Sequence, residues 1–464
     1  MAVKRALPDE DSVSDLEAAL RGDLLRPGDD DYDDARTVYN AMIDRRPAVV
    51  VRPMGAVDVA TAIAFARDHD LPIAVKGGGH NVAGNAVCDD GLVIDFVNMA
   101  SVQVDPVGRT VRVGPGARLG DVDHETSAYG LAAPSGVDPD TGVAGLTLGG
   151  GFGYVCRKFG LTIDNLRSVE MVTAGGELVH ASEEENLELF WGVRGGGGNF
   201  GVVTSFEFDL HELSEVLAGL VVYRAEDARS AVHHWWAVAS EAPDDLSVWL
   251  NFSTAGDDPF IPEAYRGTRV LSVIPIYAGD VVEGESVVAE LREFGDPIAD
   301  TVQVHRFVDW QRAFEDAYPP GERYYWKSHN FASPSEAALD EIAKYALSPP
   351  TPETRVSVTH LGGAVNRVPP DATAYPHRDA DFLVNITTRW GDPEEDDRCI
   401  AWTREYFDAL SPYATGGTYV NLISDREGEE SMAYQENYDR LVALKNEWDP
   451  ENRFSKNQNV QPTV

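Results

Sequence analysis

Residues 142–166 read GVAGLTLGGGFGYVCRKFGLTIDNL. Six glycines fall between 142 and 153, a density that neither a helix nor a strand interior sustains without cost. Such a segment is a loop whose backbone N–H groups stand clear of side chains, and groups of that kind suit phosphate. Two more runs share the character: VKGGGHN at 75–81 and GGGGNFG at 195–201. Residues 196–201 fit G-x-G-x-x-G by letter, yet they follow a helical pattern and precede a strand pattern, the reverse of the dinucleotide-binding order. No G-x-x-x-x-G-K-[ST] occurs. One glycine turn is usually only a turn. Three in one region, none opening a Walker or Rossmann helix, fit a long phosphate-bearing cofactor laid across several loops.

Outward from these loops, AVVVR (48–52), LPIAV (71–75) and GLVIDF (91–96) read as buried strands. Between the first two, AVDVATAIAFARDHD (56–70) is apolar at helical spacing. Strand, helix, strand predicts a right-handed crossover onto a parallel or mixed sheet. RTVRVGPG predicts another strand, ARLGDVDHETSAYG a helix, and RSVEMVTAGGELVHAS a hairpin about Gly175 and Gly176. SEEENLELFWGVRG predicts a short helix with acids in its first turn, where the dipole favours them, and GVVTSFEFDL a strand. After about residue 211 glycine thins out. LAGLVVYR, LSVWLNF and RVLSVIPIYAG alternate with helical ARSAVHHWWAVASEA and SVVAELREFG. That order predicts an antiparallel sheet covered by helices. At GGTYVNLISD (416–425) a glycine-marked strand is expected, then a polar helix, AYQENYDRLVALKNEWD. The expected fold class is α+β with two domains. The first spans residues 1–211, with a core from about 44, and regains the chain at 415–464; the second spans 212–414.

A chain of 464 residues exceeds what one core commonly holds. No apolar run approaches the roughly 20 residues of a membrane span, and the N-terminus turns acidic before any signal-like apolar stretch. A soluble, cytoplasmic protein is expected. The net charge of −39 argues against nucleic acid and anionic membranes as partners. Seven of the 38 basic residues are lysine. This acid-rich, lysine-poor composition resembles that of proteins from salt-loving microbes, whose medium screens self-repulsion. Three cysteines without a CxxC, and no HExxH, give neither a disulfide framework nor a zinc site; no metal is expected. Monomer and homodimer both stay open.

Taken together, the glycine runs resemble a known family. VKGGGHN resembles the R-S-G-G-H-S segment of FAD-linked oxidases of the vanillyl-alcohol oxidase superfamily. GVAGLTLGGGFGYVCRKFGLTIDNL resembles the second signature of their berberine-bridge-enzyme-like branch, and WGVRGGGGNFGVVTSFEF and DPENRFSKNQNV its later ones. The likeness runs from about residue 40 to the end. It implies a PCMH-type FAD-binding fold with an antiparallel-sheet substrate domain. It also implies FAD bonded through its 8α-methyl to His80 and, as in many members, through ring carbon 6 to Cys156. Both groups are nucleophiles when deprotonated. Further flavin contacts are implied for Lys76, Gly77, Gly78, Gly79, Asn81, Thr141, Gly142, Gly145, Gly149, Gly150, Val202, Asn421 and Asn459. Lys76 stands where the family commonly has arginine; a lysine meets phosphate as a point charge. Cys88 and Cys399 match no attachment site, and Cys88 is expected to be buried.

In such an enzyme an alcohol gives up hydride only after its hydroxyl loses a proton, so a base is needed near the flavin. Related carbohydrate and polyketide oxidases use a tyrosine in a Y-x-N-Y strand. The matching residues are Tyr419 and Asn421, with Leu422 in the last place. A phenol has a reference pKa of about 10, so Tyr419 is expected to need a neighbour that lowers it. Tyr154, beside the second signature, joins it as a catalytic candidate. His360 and Asn385 are candidates for the substrate site. The glutamate base of plant alkaloid-oxidising members is matched by Arg367, which argues against that mechanism. Thr141 matches the position that gates oxygen and points to O2 as acceptor. The expected activity is oxidation of a small-molecule alcohol, a sugar or other secondary hydroxyl, releasing H2O2. The alternatives are an amine oxidase of the hydroxynicotine-oxidase type and a dehydrogenase with another acceptor.

Overall fold

Val49–Val51 and Leu92–Ile94 are aliphatic runs without polar alternation, the pattern of strands covered on both faces. In the computed structural model, which describes residues 7–424 and 430–464, they lie at the centre of a sheet. Counted over the described residues, its order is Asp23–Leu25, Val49–Arg52, Leu92–Asp95, Ile73–Lys76. The last three are parallel. Helix Ala56–Asp68 makes the expected crossover and buries Val59, Ala62, Ile63 and Ala66 on one face. Strand Leu92–Asp95 then inserts between the strands that the helix joins. The first glycine run therefore leaves the carboxyl end of a parallel strand, where open α/β sheets present ligand sites.

A second, antiparallel sheet has the order Val102–Asp105, Thr110–Val113, Val202–Asp209, Leu166–Val172, Leu178–Ser182. The hairpin about Gly175 and Gly176 is present; Gly176 has φ 87°, a conformation that favours glycine.

Beyond residue 212 the alternating stretches form a nine-stranded sheet, again counted over the described residues. Its central run is Arg269–Tyr277, Leu246–Thr254, Arg355–His360, Phe382–Trp390, Arg323–Phe331, antiparallel throughout. Strand side chains alternate between faces. Leu250, Phe252, Val356, Val358, Val384 and Ile386 pack under helices Ala228–Ala239, Glu336–Ala346 and Asp396–Leu410, through Trp235, Leu339, Ile342 and Tyr406. Their neighbours Asn251, Ser357 and Asn385 face the other way. This mixed architecture of helices and antiparallel sheet is α+β, as expected.

The strand expected at 416–425 is not formed in its described part. Residues 416–424 run irregularly past the edge strand Arg323–Phe331, with a 3₁₀ turn at Val420–Leu422. Hydroxyls replace carbonyls in the pairing: Ser328 Oγ accepts the Tyr419 N–H at 3.3 Å and Ser424 Oγ accepts the Trp326 N–H at 2.7 Å. The backbone bonds among the described residues, Thr415 N–H to Asn330 O at 2.9 Å and Asn330 N–H to Gly417 O at 3.3 Å, are too few for a ladder. The helix that follows runs Tyr438–Trp448, after a 3₁₀ turn at Gln435–Asn437.

Candidate active site

A cavity of about 370 Å³ lies between the glycine loops and the uncovered face of the nine-stranded sheet. The first two loops meet backbone to backbone. A Cβ on Gly78 would come within 2.4 Å of the Gly142 nitrogen, and one on Gly142 within 2.3 Å of the Gly78 nitrogen. The third loop is stitched to the distant tail 454–460. Asn199 donates from Nδ2 to Gln458 O and accepts the Val460 N–H, and Asn457 Nδ2 donates to Gly198 O. Lys445, fully buried, anchors the joint. Its ammonium donates to Asn199 O at 2.8 Å, Phe454 O at 3.0 Å and the buried Asp449 carboxylate at 2.6 Å. Three donors meet three acceptors, the condition under which a buried charge is tolerated. Lys456, Asn457 and Gln458 thereby line the cavity.

His80 lines the same cavity. Tyr39 stacks on its ring at 4.0 Å between centroids and 22° between planes, and Asp138 Oδ2 lies 3.1 Å from Nε2. Beneath the Asp138 loop, Gln311 Nε2 donates to Gly136 O at 3.1 Å and to Asp123 Oδ2 at 3.3 Å. Burial pushes the Asp123 carboxyl up to about 7.

Tyr419 and Asn421 sit where the loops approach the sheet. The Tyr419 oxygen accepts the Gly151 N–H at 2.9 Å and the Asn421 Nδ2–H at 3.0 Å; the Asn421 amide also donates to Leu146 O at 3.1 Å. The neighbour expected to lower the Tyr419 pKa does not prevail. Burial raises it to about 12, and the Gly151 and Asn421 bonds offset only part of that rise. Tyr154 also lines the cavity, packed on Trp249 at 5.1 Å and Trp310 at 5.8 Å; burial raises its phenol too.

The sheet contributes a row of uncharged polar side chains in direct register. Ser272 opposes Asn251, Asn251 opposes Ser357, Ser357 opposes Asn385, and Asn385 opposes Ser328. Asn251, Ser357 and Asn385, with Thr359 and Thr387, line the cavity beside Trp249 and Trp326. Asn385 Nδ2 donates to Thr387 Oγ1 at 3.0 Å. The Asn385 and Asn251 carbonyls and the Trp326 indole N–H are buried without a partner among the described residues.

Of the residues picked from the sequence, His80, Gly77, Gly78, Gly79, Asn81, Thr141, Gly142, Gly145, Tyr154, Val202, Asn385, Tyr419 and Asn421 share the cavity wall. Others do not. Lys76 turns away: its ammonium donates to Ala35 O at 2.8 Å and faces Asp95 at 3.9 Å, because strand alternation sends it beneath the loop. Lys456 is the lysine that reaches the cavity. His360 lies behind the wall, with Nε2 2.8 Å from the buried Arg157 guanidinium and its ring stacked on Phe382. Burial, then the Arg157 charge, holds its pKa well below the ordinary value. Arg367 is on a helical turn, Ala364–Arg367, paired with Asp244 at 2.7 Å, not on a strand facing the cavity. Gly149 and Gly150 support rather than line: a Cβ on Gly149 would strike the Asn421 amide at 2.3 Å, and Gly150 has φ 127°. Asn459 lies off the wall, its Oδ1 buried without a partner among the described residues.

Cys156 opens a short helical turn, Cys156–Phe159, buried in an apolar cluster with Tyr375 and Tyr419. Its sulfur does not line the cavity, and burial raises its pKa to about 11. Cys88 and Cys399 are buried as well. Asp138, Tyr39, Lys456, Asn251 and Ser357 had no separate motif. The signal that exposes the sheet residues is a polar side chain inside an otherwise apolar strand, as Asn251 is in LSVWLNF.

The wall fits FAD. Glycine backbone, Lys456 and the Gln458 amide N–H, which has no partner among the described residues, suit its phosphates, and the aromatic end suits a flat ring. Residues 47–182 match a sequence model of an FAD binding domain, and residues 418–461 match one described as berberine and berberine like. The chain is 30% identical over 455 residues to an FAD-linked oxidoreductase of Dictyostelium discoideum, covering 97% of each protein. It is 31% identical over 461 residues to (R)-6-hydroxynicotine oxidase of Paenarthrobacter nicotinovorans, covering 96% of this chain and 97% of that protein. The solved structure of xylooligosaccharide oxidase from Myceliophthora thermophila C1 with xylobiose matches with a TM-score of 0.85 at 25% identity, over 98% of this chain and 99% of that one. Glycine loops, cavity and whole-length likeness agree: the chain belongs to the berberine-bridge-enzyme-like family of FAD-linked oxidoreductases, has the PCMH-type FAD-binding fold, and is an FAD-dependent oxidoreductase.

Proposed function

We propose that this protein oxidises a hydroxyl group of a small polyhydroxylated substrate, a sugar or other secondary alcohol. His80 would hold FAD by one covalent bond and Cys156, whose sulfur stands behind the wall, by a second; the bound flavin would supply a hydride acceptor that O2 reoxidises, giving H2O2. The observation that carries this reading is the in-register row Asn251, Ser357, Asn385. Its amides and hydroxyls, two carbonyls of which lack partners among the described residues, match the alternating donors and acceptors of a polyol. Among the described residues Asp138 is the one carboxylate on the wall, and it is engaged by His80. Tyr419 takes the substrate proton in its phenolate form, which burial disfavours and which the Gly151 N–H and the Asn421 amide favour. Thr141, small and polar on the wall, leaves room for O2. The net charge of −39 suits a saline cytoplasm as the working medium.

A second reading is C–N oxidation of a cyclic amine. Trp249 and Trp326 on the wall and the likeness to hydroxynicotine oxidase favour it. Anaerobic mixing with aldoses, oligosaccharides, polyols and cyclic amines separates the two. Bleaching of the yellow colour by hydroxylated compounds is expected, with one H2O2 released per O2 consumed in air. Bleaching by amines alone would select the second reading. Retention of colour in acid-precipitated protein tests the covalent bonds.

A further inference from the structure

The geometry points to Asp138 as the positioning residue for flavin attachment at His80. Its carboxylate accepts the Nε2–H, holds the neutral imidazole in the tautomer whose Nδ1 carries the lone pair, and offsets the positive charge that the ring gains as Nδ1 bonds to carbon. The inference rests on the assignment of the flavin to His80.

Three features place the pair. Nε2 and Oδ2 are 3.1 Å apart, and each side chain is 17% exposed, so water screens the contact weakly. The carboxylate is itself fixed, because Oδ1 accepts the Asp140 N–H at 2.9 Å and the loop closes through Thr141 N–H to Asp138 O at 3.0 Å. The ring plane is fixed by Tyr39, whose hydroxyl donates to Tyr318 O at 3.1 Å and whose N–H donates to Gly79 O at 3.0 Å. No hydrogen bond engages Nδ1 among the described residues. A neutral imidazole has one N–H and one lone pair, and a partner at one nitrogen decides which is which. A nucleophile ordered by a third group follows the general logic of catalytic triads. Here the imidazole itself attacks.

Attachment is an oxidation. One C–H bond of the 8α-methyl and the N–H of the imidazole are lost and one C–N bond forms. The two electrons and two protons pass to dioxygen, giving hydrogen peroxide. Asp138 stabilises the imidazolium character that arises before the second proton leaves.

The test uses the Cys156→Ala background, in which His80 is the sole attachment point. Four proteins are compared as isolated: C156A alone and C156A with Asp138→Ala, Asp138→Asn or Asp138→Glu. Three quantities are read: total bound FAD, the share of flavin remaining with acid-precipitated protein, and the mass of the peptide containing His80. The C156A protein should keep its colour in the pellet. Asp138→Ala and the near-isosteric Asp138→Asn should bind FAD at full stoichiometry but carry at least tenfold less of it covalently. Asp138→Glu should restore most of the loss, which a merely structural role would not predict. Full covalent flavin in Asp138→Ala or Asp138→Asn would overturn the proposal, as would loss of FAD binding in both. A colourless C156A pellet would instead remove the bond to His80 itself and, with it, the role of Asp138.

Discussion

The two walls of the cavity are built from different material. On the loop side, backbone from residues 77–79, 142–145 and 197–201 forms the surface, and a single Cβ at Gly78 or Gly142 would collide with main chain. On the sheet side, side chains of Asn251, Ser357 and Asn385 form it, while the ladder beneath would be the same whatever they were. A backbone wall suits a ligand that does not change, because it leaves few atoms to vary. A side-chain wall suits a ligand that differs from one enzyme to the next, because each strand position can be altered without disturbing the hydrogen bonds that hold it. Tyr419 joins the two, bonded to Gly151 of the loops and tethered through Ser328 to the sheet edge.

Removing the joint should have the largest effect. Tyr419→Phe is expected to slow flavin reduction by substrate about 10²–10⁴-fold, read by anaerobic stopped-flow, while the protein stays yellow; near-normal reduction would take the base role from Tyr419. Breaking the loop wall comes next. Lys445→Met leaves the Asp449 carboxylate buried without its cation and should cost about 3–5 kcal/mol in urea unfolding, with FAD retention falling in parallel. If Lys445→Met unfolds like the wild type, the stitch between loop and tail is not what holds that wall.

Asp123, under the same wall, makes a pH signature. The unfolded chain sheds this proton near the ordinary carboxyl value, the folded chain only near 7. Its contribution is therefore full in acid, declines from about pH 4 to 7, and stays low above that. Asp123→Asn is neutral throughout, so its unfolding free energy relative to wild type should improve between pH 4 and pH 8, by about 4 kcal/mol. An unchanged difference would show that the carboxyl is ionised in the fold.

On the sheet wall, Asn385→Ala should raise KM about tenfold for a hydroxylated substrate, the loss of roughly one hydrogen bond, and leave the unfolding midpoint nearly unmoved. A stability loss without a KM change would make that row structural. The smallest effect concerns both walls equally: raising NaCl from 0.1 to 2 M should lift the melting temperature by a few degrees, since salt screens self-repulsion at a net charge of −39. A fall would mean that surface ion pairs outweigh that repulsion.

The elements with a strong local pattern were legible in the sequence. Helix Ala56–Asp68, the strands beside it and the hairpin at Gly176 follow from periodicity and turn chemistry alone. The segment 416–424 did not, because Tyr419, Val420, Leu422 and Ile423 are all buried and look strand-like, while hydroxyl groups take over the pairing. Lys76 and His360 lie close in sequence to strand ends that do reach the cavity, and only the direction of each side chain separates them from it. Asp138 sits in DPDTG, which reads as an ordinary turn; its distance to His80 exists only once two loops have met.

The tie between Lys445, Asn199 and the tail 454–460 has a bearing on biosynthesis. Some 250 residues separate the two sides of that seam, so during synthesis Asn199 waits for its partners until residues 445–460 have been made. A chain cut before residue 445 would lack every one of those bonds, and its third glycine loop is expected to be left without support.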